Sequence, residues 1–490
     1  MRLKVLKYVF LIGLLFSVGW SNAQMKVTHP PAADTVMMNA VPPPDTVKPT
    51  PPSQPPSLFT IRDIFVTGNK KTKGYTIERE LPFKRGDKVA LTELVQSFEI
   101  ARQQLMNTAL FHEAIVALKS FNGYDIDILV DVKERWYIFP IPYFKLVDRN
   151  LNQWLVDHKG SLDRVNYGLK FTYNNFTGRK DKLKLWLVNG YTRQAQVRYE
   201  QPYADKSLKH GYNIGFSYLS NREINYATID DKQAFVKQDG FIRKQMQVNL
   251  EYVYRPALRT RHTFRMIYFD ETIGDTVLQL NPHYYNAGLR RIRYPELSYT
   301  LDYQFVDYLP YPQQGFSGDF TLSKQGFGKD MNVWQLNARA NFSRKFAPKA
   351  SYTVQANATL KLPFDQPYYA KKMLGYGDNN LRGLEYYVID GVAGISLRNT
   401  IRRQILDIKI RNPLRTNIDR VPFRFYLKTY GDMGYVYNRH PGQNQLPNKF
   451  LYSGGFGLDI VTIYDFVLRF EYSFNQLGQS GLFLHNRNDF

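Results

Sequence analysis

The sequence predicts a mainly β protein: a transmembrane 16-stranded antiparallel β-barrel preceded by a small α/β domain. Three observations predict it. From residue 136 onward, segments of about ten residues alternate apolar with polar side chains. Outside the N-terminus there is no long apolar run, so a chain of this kind can span a bilayer only as a closed barrel whose backbone groups pair between strands. Residues 58–135 instead mix strand and helix periodicities within one short unit.

The first 57 residues divide into two segments. Residues 1–24 read as a secretory signal peptide: Arg2, Lys4 and Lys7, then an apolar run from Tyr8 to Trp20, then Ser21-Asn22-Ala23. That run, about thirteen residues, is shorter than the roughly twenty a membrane-spanning helix requires. Residues 25–57 are rich in proline, including Pro42-Pro43-Pro44, and read as a disordered tether. An exported chain of net charge +22 is expected to meet anionic lipid headgroups rather than nucleic acid. The absence of cysteine excludes disulfides and thiolate metal sites, and the eight histidines show no metal-ligand spacing. No cofactor or metal is therefore expected.

In residues 58–135, Ile61–Thr67 reads as a strand closed by Gly68-Asn69. Tyr75–Leu81 and Thr92–Met106 read as helices, the second with Leu94, Phe98, Ala101 and Leu105 on one face. Phe111–Leu118 and Tyr124–Val132 complete a β-α-α-β-β order. A plain α/β spacer would share this pattern.

Residues 136–490 are assigned to the barrel. Trp334, Leu336, Ala338, Ala340 and Phe342 alternate with Gln335, Asn337, Arg339, Asn341 and Ser343, and the pattern recurs from Tyr352, Met246 and Phe466. Sixteen candidate strands start near Tyr137, Asn166, Lys182, Ala195, Gly211, Gln245, His262, Leu297, Phe316, Val333, Ser351, Val392, Phe423, Gly454, Phe466 and Ser480. A soluble sandwich also alternates. Long segments and aromatics at their ends (Tyr191, Tyr199, Tyr203; Tyr308, Tyr311; Tyr368, Tyr369) favour a membrane barrel with interfacial girdles.

One stretch between strands does not alternate: Gly375 to Gly391, centred on Leu381, Arg382, Gly383 and Leu384. Taken alone, Arg382 reads as a solvated charge. Parity on the next strand but one changes that. Phe423, Phe425 and Leu427 form an apolar face, so Arg424, Tyr426, Lys428, Tyr430 and Asp432 line the lumen. A lumenal carboxylate beside an aromatic ring suits an arginine delivered from a loop.

Leu381-Arg382-Gly383-Leu384 resembles the (V/I)RG(F/Y) loop motif of the BamA/TamA superfamily of outer-membrane assembly and translocation barrels. Tyr430-Gly431-Asp432-Met433-Gly434 resembles that superfamily's aromatic-x-Asp-x-Gly strand motif, and residues 58–135 resemble a POTRA domain. The resemblance implies that the sixth extracellular loop folds into the lumen, where Arg382 meets Asp432 beside Tyr430 and Gly434. Leu384 departs from the usual aromatic. The strand after the loop, from Gly394 to Asn399, lacks the glutamate common in the superfamily, so Asp432 is expected to hold Arg382 without that partner. A single POTRA-like unit points to a specialised relative as readily as to the main assembly factor.

Pro140 and Pro142, two residues apart on the first barrel strand, lose their N–H groups on the same edge. Either they weaken the seam with the last strand, or they lie in a lead-in before pairing begins. The terminal Phe490 resembles a C-terminal assembly signal. The expected function is non-enzymatic insertion, assembly or translocation of polypeptides at a Gram-negative outer membrane, with the POTRA-like domain in the periplasm. Expected partners are outer-membrane lipids and lipopolysaccharide, unfolded outer-membrane or exported clients, and periplasmic or lipoprotein accessory subunits. A passive or anion-selective pore is the alternative.

Overall fold

The computed structural model describes residues 58–146, 165–377, 379–411 and 420–487. The signal-peptide and tether assignments and Phe490 lie outside the described residues.

The first unit contains β1 (Leu58–Thr67), α1 (Gly74–Glu78), β2 (Lys88–Ala90), α2 (Leu91–Asn107), β3 (Phe111–Asn122) and β4 (Asp125–Glu134). The short β2 was not expected from the sequence; three residues carry too little periodicity to be read. The sheet order is β2-β1-β4-β3, with β1 parallel to β4. A register shift between Ile61 and Asp63 lets Ile61 and Ile64, three residues apart, both face the core. There they meet Ile126, Ile128 and Val130 of β4 and the helical residues Ile77, Leu94, Ala101 and Leu105. Burial of these apolar side chains, about 1.5–3 kcal/mol each for the larger ones, holds the two helices on the sheet.

The second unit is one 16-stranded antiparallel sheet in strict sequence order. Every expected strand start lies in an observed strand or one residue before it. The sheet wraps until its ends approach: the ring of Phe139, on the first strand (Ile138–Leu146), stands 5.8 Å from Tyr464, beside the fifteenth (Val467–Asn475). The thirteenth strand (Arg420–Tyr437) displays the consequence of period two: Tyr426, Lys428, Tyr430 and Asp432 are buried inside, while Leu427 and Met433 are exposed outside. Elsewhere Ile214, Leu250, Phe264 and Met266 are likewise exposed. A polar interior within an apolar exterior inverts the arrangement of a protein that faces water.

The aromatic residues taken as interfacial girdles require correction. Tyr203 and Tyr311 are almost fully buried, and Tyr368 and Tyr369 pack in an internal cluster with Tyr284 and Tyr285. The phenol is the reason: Tyr203 donates to Glu80 and Tyr311 to Asp459 at 2.8 Å, partners that exist only inside.

Candidate functional site

The loop between the eleventh strand (Ala350–Leu362) and the twelfth (Ala393–Arg411) enters the barrel. At its tip, Gly383 has φ +81°, and a Cβ there would stand 2.9 Å from the Cβ of Ser473 and 3.3 Å from the carbonyl of Phe474. A side chain would therefore be both strained and blocked, and glycine alone lets the tip lie against the fifteenth strand. Asn475 holds the tip by donating to the Gly383 carbonyl at 2.7 Å. Gly434 supplies the matching space on the thirteenth strand, since a Cβ there would meet Leu381 at 3.0 Å. Leu381 and Leu384 are buried together with Tyr387, Ile389, Val436 and Leu451. A leucine thus fills the place where an aromatic was the expected residue.

Arg382 donates through Nε to Asp432 Oδ2 at 2.8 Å and through Nη2 to Oδ1, a two-point grip on a carboxylate whose side chain is 0% exposed. Its own backbone N–H points to the same Oδ2 at 3.3 Å. The guanidinium lies 3.9 Å over the Tyr430 ring, and the Tyr430 hydroxyl bonds Ser473 Oγ at 2.6 Å. Loop and strand are therefore joined by charge, hydrogen bonds and stacking on a single residue.

No acid of the strand after the loop contacts Arg382, as expected, but a second carboxylate stands near it. Glu471, on the fifteenth strand, lies 3.8 Å from Arg382 Nη1. The twelfth strand offers no acid beside the loop; the second carboxylate comes from the fifteenth strand, two strands along the same wall from Asp432. Glu471 also pairs with Lys428 at 2.5 Å, and Lys428 pairs with Asp459 at the same distance. Glu471 shares the inward parity of Ser473, a signal present in the sequence, but only the wrapped sheet reveals that it reaches the loop.

The structure brings Leu381, Arg382, Gly383, Leu384, Tyr430, Asp432 and Gly434 together. Pro140 and Pro142 lie elsewhere, in a regular ladder with the second strand (Val165–Asn174), opposite Phe171 and Leu169. They are not in an unpaired lead-in. Asn174 donates its N–H to the Tyr137 carbonyl at 2.8 Å, and the register places these two residues directly opposite. Odd-numbered residues of the first strand thus turn their backbone groups to the second strand, and even-numbered residues turn theirs away. Both missing donors consequently face the free edge. Among the described residues no ladder joins the first strand to the sixteenth (Ser480–Arg487).

A second polar cluster, which the sequence did not disclose, joins the two units. Arg255, in the turn after the sixth strand (Arg243–Tyr254), donates to both oxygens of Glu80 at 2.6 and 2.8 Å, and Tyr203 donates to the same carboxylate. Burial pushes the Glu80 carboxyl up, but Arg255 and Lys180 outweigh it and hold the group far below the usual carboxylate range. Arg79 donates to the carbonyls of Leu208 and Arg255, each at 3.0 Å. On another side Arg135 pairs with Asp465 at 2.7 Å, and the His112 ring meets Tyr464 edge-on at 5.0 Å. Burial, then the charge of Arg135, lowers His112 to about 4, with Asp465 opposing.

Residues 59–135 match the family model described as "POTRA: Surface antigen variable number repeat". The chain therefore combines one POTRA domain with a 16-stranded antiparallel barrel. The solved structures it is similar to include BamA from Haemophilus ducreyi lacking POTRA domains 1–3, at 15% identity over 88% of this chain and 84% of that one, with a TM-score of 0.47. CdiB from Acinetobacter baumannii is similar at 12% identity, 88% and 74% coverage and a TM-score of 0.47. CdiB from Escherichia coli follows at 11%, 90% and 92%, and 0.45. No curated protein matches the sequence.

Proposed function

We propose that this protein spans the outer membrane of a Gram-negative cell and inserts, assembles or translocates other polypeptides there. The observation that carries the reading is the edge between the first and sixteenth strands. All other neighbours in the sheet are paired, whereas this edge has no ladder among the described residues and two prolines that cannot donate across it. An edge short of hydrogen bonds opens sideways at low cost and offers a template for an incoming strand.

Other features support the same reading. The POTRA sheet ends on β3, whose outer edge is unpaired among the described residues and can accept a client or accessory chain by strand addition. The apolar exterior suits membrane lipid, and the net charge of +22 suits anionic headgroups and lipopolysaccharide. Arg382 acts as the anchor that keeps the loop within the lumen, and no step requires bond-making chemistry. The occupied lumen also argues against a wide, permanently open pore.

Two measurements test the proposal. Depletion followed by proteomics of the outer membrane should reduce one or more membrane or exported proteins; an unchanged proteome refutes it. In the cysteine-free background, a disulfide between the first and last strands should abolish the activity, and reduction should restore it. Full activity with the edge locked would eliminate lateral opening. A large, steady single-channel conductance would favour the pore.

A further inference from the structure

Beside the Arg382 anchor, three groups from three different elements converge. Glu385 belongs to the loop, Glu471 to the fifteenth strand and His485 to the sixteenth. We propose that Glu385, Glu471 and His485 form a binding site for a divalent transition-metal ion of the zinc class, which fastens the lumenal loop to the last two strands. The proposal does not depend on what the barrel transports.

Geometry is the first argument. His485 Nε2 lies 3.0 Å from Glu385 Oε1 and 3.4 Å from Glu471 Oε2, and all three donor atoms fall within 4.8 Å of one another. Ligands about 2.0–2.1 Å from a tetrahedral ion stand roughly 3.3–3.4 Å apart. Two edges of the triangle are thus already close to those of a bound ion, and the third closes by a small rotation of the Glu385 side chain. Two carboxylate oxygens and one imidazole nitrogen are a donor set that zinc accepts readily. Calcium and magnesium prefer more oxygen ligands and no imidazole.

The second argument is the surrounding shell. Glu471 divides its two oxygens: Oε1 accepts from Lys428, while Oε2 faces His485. A carboxylate fixed in this way presents its free oxygen in one orientation, as outer partners of metal ligands do. The nearby cations have carboxylates of their own, Asp432 for Arg382 and Asp459 for Lys428. Arg469 is a further cation on the inner face of the fifteenth strand. Among the described residues Glu385 forms no ion pair except with His485. Its charge is therefore available to a dication. The site is reachable, since the His485 side chain remains 34% exposed.

The ion would share the site with a proton, because His485 must be neutral to bind it. Affinity should accordingly fall about tenfold per pH unit once His485 is mostly protonated.

The test uses the purified full chain in detergent, stripped with chelator, incubated with zinc chloride and desalted, with bound zinc measured by mass spectrometry. One zinc per chain is expected, resistant to excess magnesium, with at least a tenfold loss of affinity in both Glu385→Gln and His485→Ala. Glu385 lies in a loop, so Glu385→Gln remains informative if the strand variant fails to fold; the heat-dependent gel shift of the barrel reports folding in each case. Absence of zinc from the folded wild type, or unchanged binding in folded Glu385→Gln, would overturn the proposal.

Discussion

Two of the buried arginine–carboxylate pairs do different work. Arg382–Asp432 ties one loop to the strand wall, with Tyr430 beneath the guanidinium and Gly383 and Gly434 cleared of side chains so that it can arrive. Arg255–Glu80 ties one folded unit to another, with Tyr203 completing the carboxylate and Arg79, Asn107 and Arg135 making further contacts around it. The loop has one charged anchor, backed by Asn475 on the Gly383 carbonyl and by the buried Leu381 and Leu384; the junction spreads its charged contacts over several residues. Loss of Arg382 removes the loop's only ion pair with Asp432, whereas loss of any one junction contact leaves others between the POTRA domain and the barrel.

The largest expected effect therefore falls on the loop. Arg382→Ala leaves Asp432 ionised without a partner in a fully buried position, at about 3–5 kcal/mol. Asp432→Ala should cost a similar amount, and the double variant little more than either single one, read by urea unfolding in detergent. Additive losses would mean that the two residues act independently. Glu80→Ala should cost less, nearer about 3 kcal/mol, because Arg255 is slightly exposed and keeps its bond to the Leu258 carbonyl. Spin labels on the POTRA domain and the barrel should still report one dominant distance; a broad distribution would show that the junction rests on this pair alone.

A smaller effect is expected for Gly383→Ala. The left-handed φ costs about 1–2 kcal/mol in an L-residue, and the new methyl presses on Ser473. Faster proteolysis of the loop, with the barrel still folded, is the expected result. A further effect is a pH dependence. His112 has a folded-state pKa of about 4, below its ordinary 6.5, so the unfolded form binds the extra proton between these values. Its contribution is complete above pH 6.5, declines as pH falls toward 4 and is then lost. Glu80, held below its ordinary 4.5, adds a slope of the same sign only near and below that value, so His112→Gln should flatten the slope of melting temperature against pH between about 5 and 6.5.

The same contrast separates what could be read from the sequence. Period-two alternation reports which face of a strand meets which medium, so the strand starts and the inward set Tyr430 and Asp432 were legible without coordinates. The Gly68-Asn69 turn and helical spacing likewise disclosed most of the POTRA unit, though not the three residues of β2. Parity gives direction but no distance. It marked Glu471 as lumenal without revealing that it reaches Arg382, and it misassigned Tyr203 and Tyr311 to girdles because a tyrosine suits either an interface or a buried acid.

The sequence by itself determined the two units, the strand alternation and the loop that breaks it, because each is a local property of consecutive side chains. Beyond Arg382 and Asp432, which the motif resemblance paired, only the tertiary structure decided which charges meet. Glu80 and Arg255, or Glu385, Glu471 and His485, are far apart in the chain and carry no shared periodicity. Their contacts follow from wrapping the sheet and docking a domain against it, and that packing is set by the whole barrel at once.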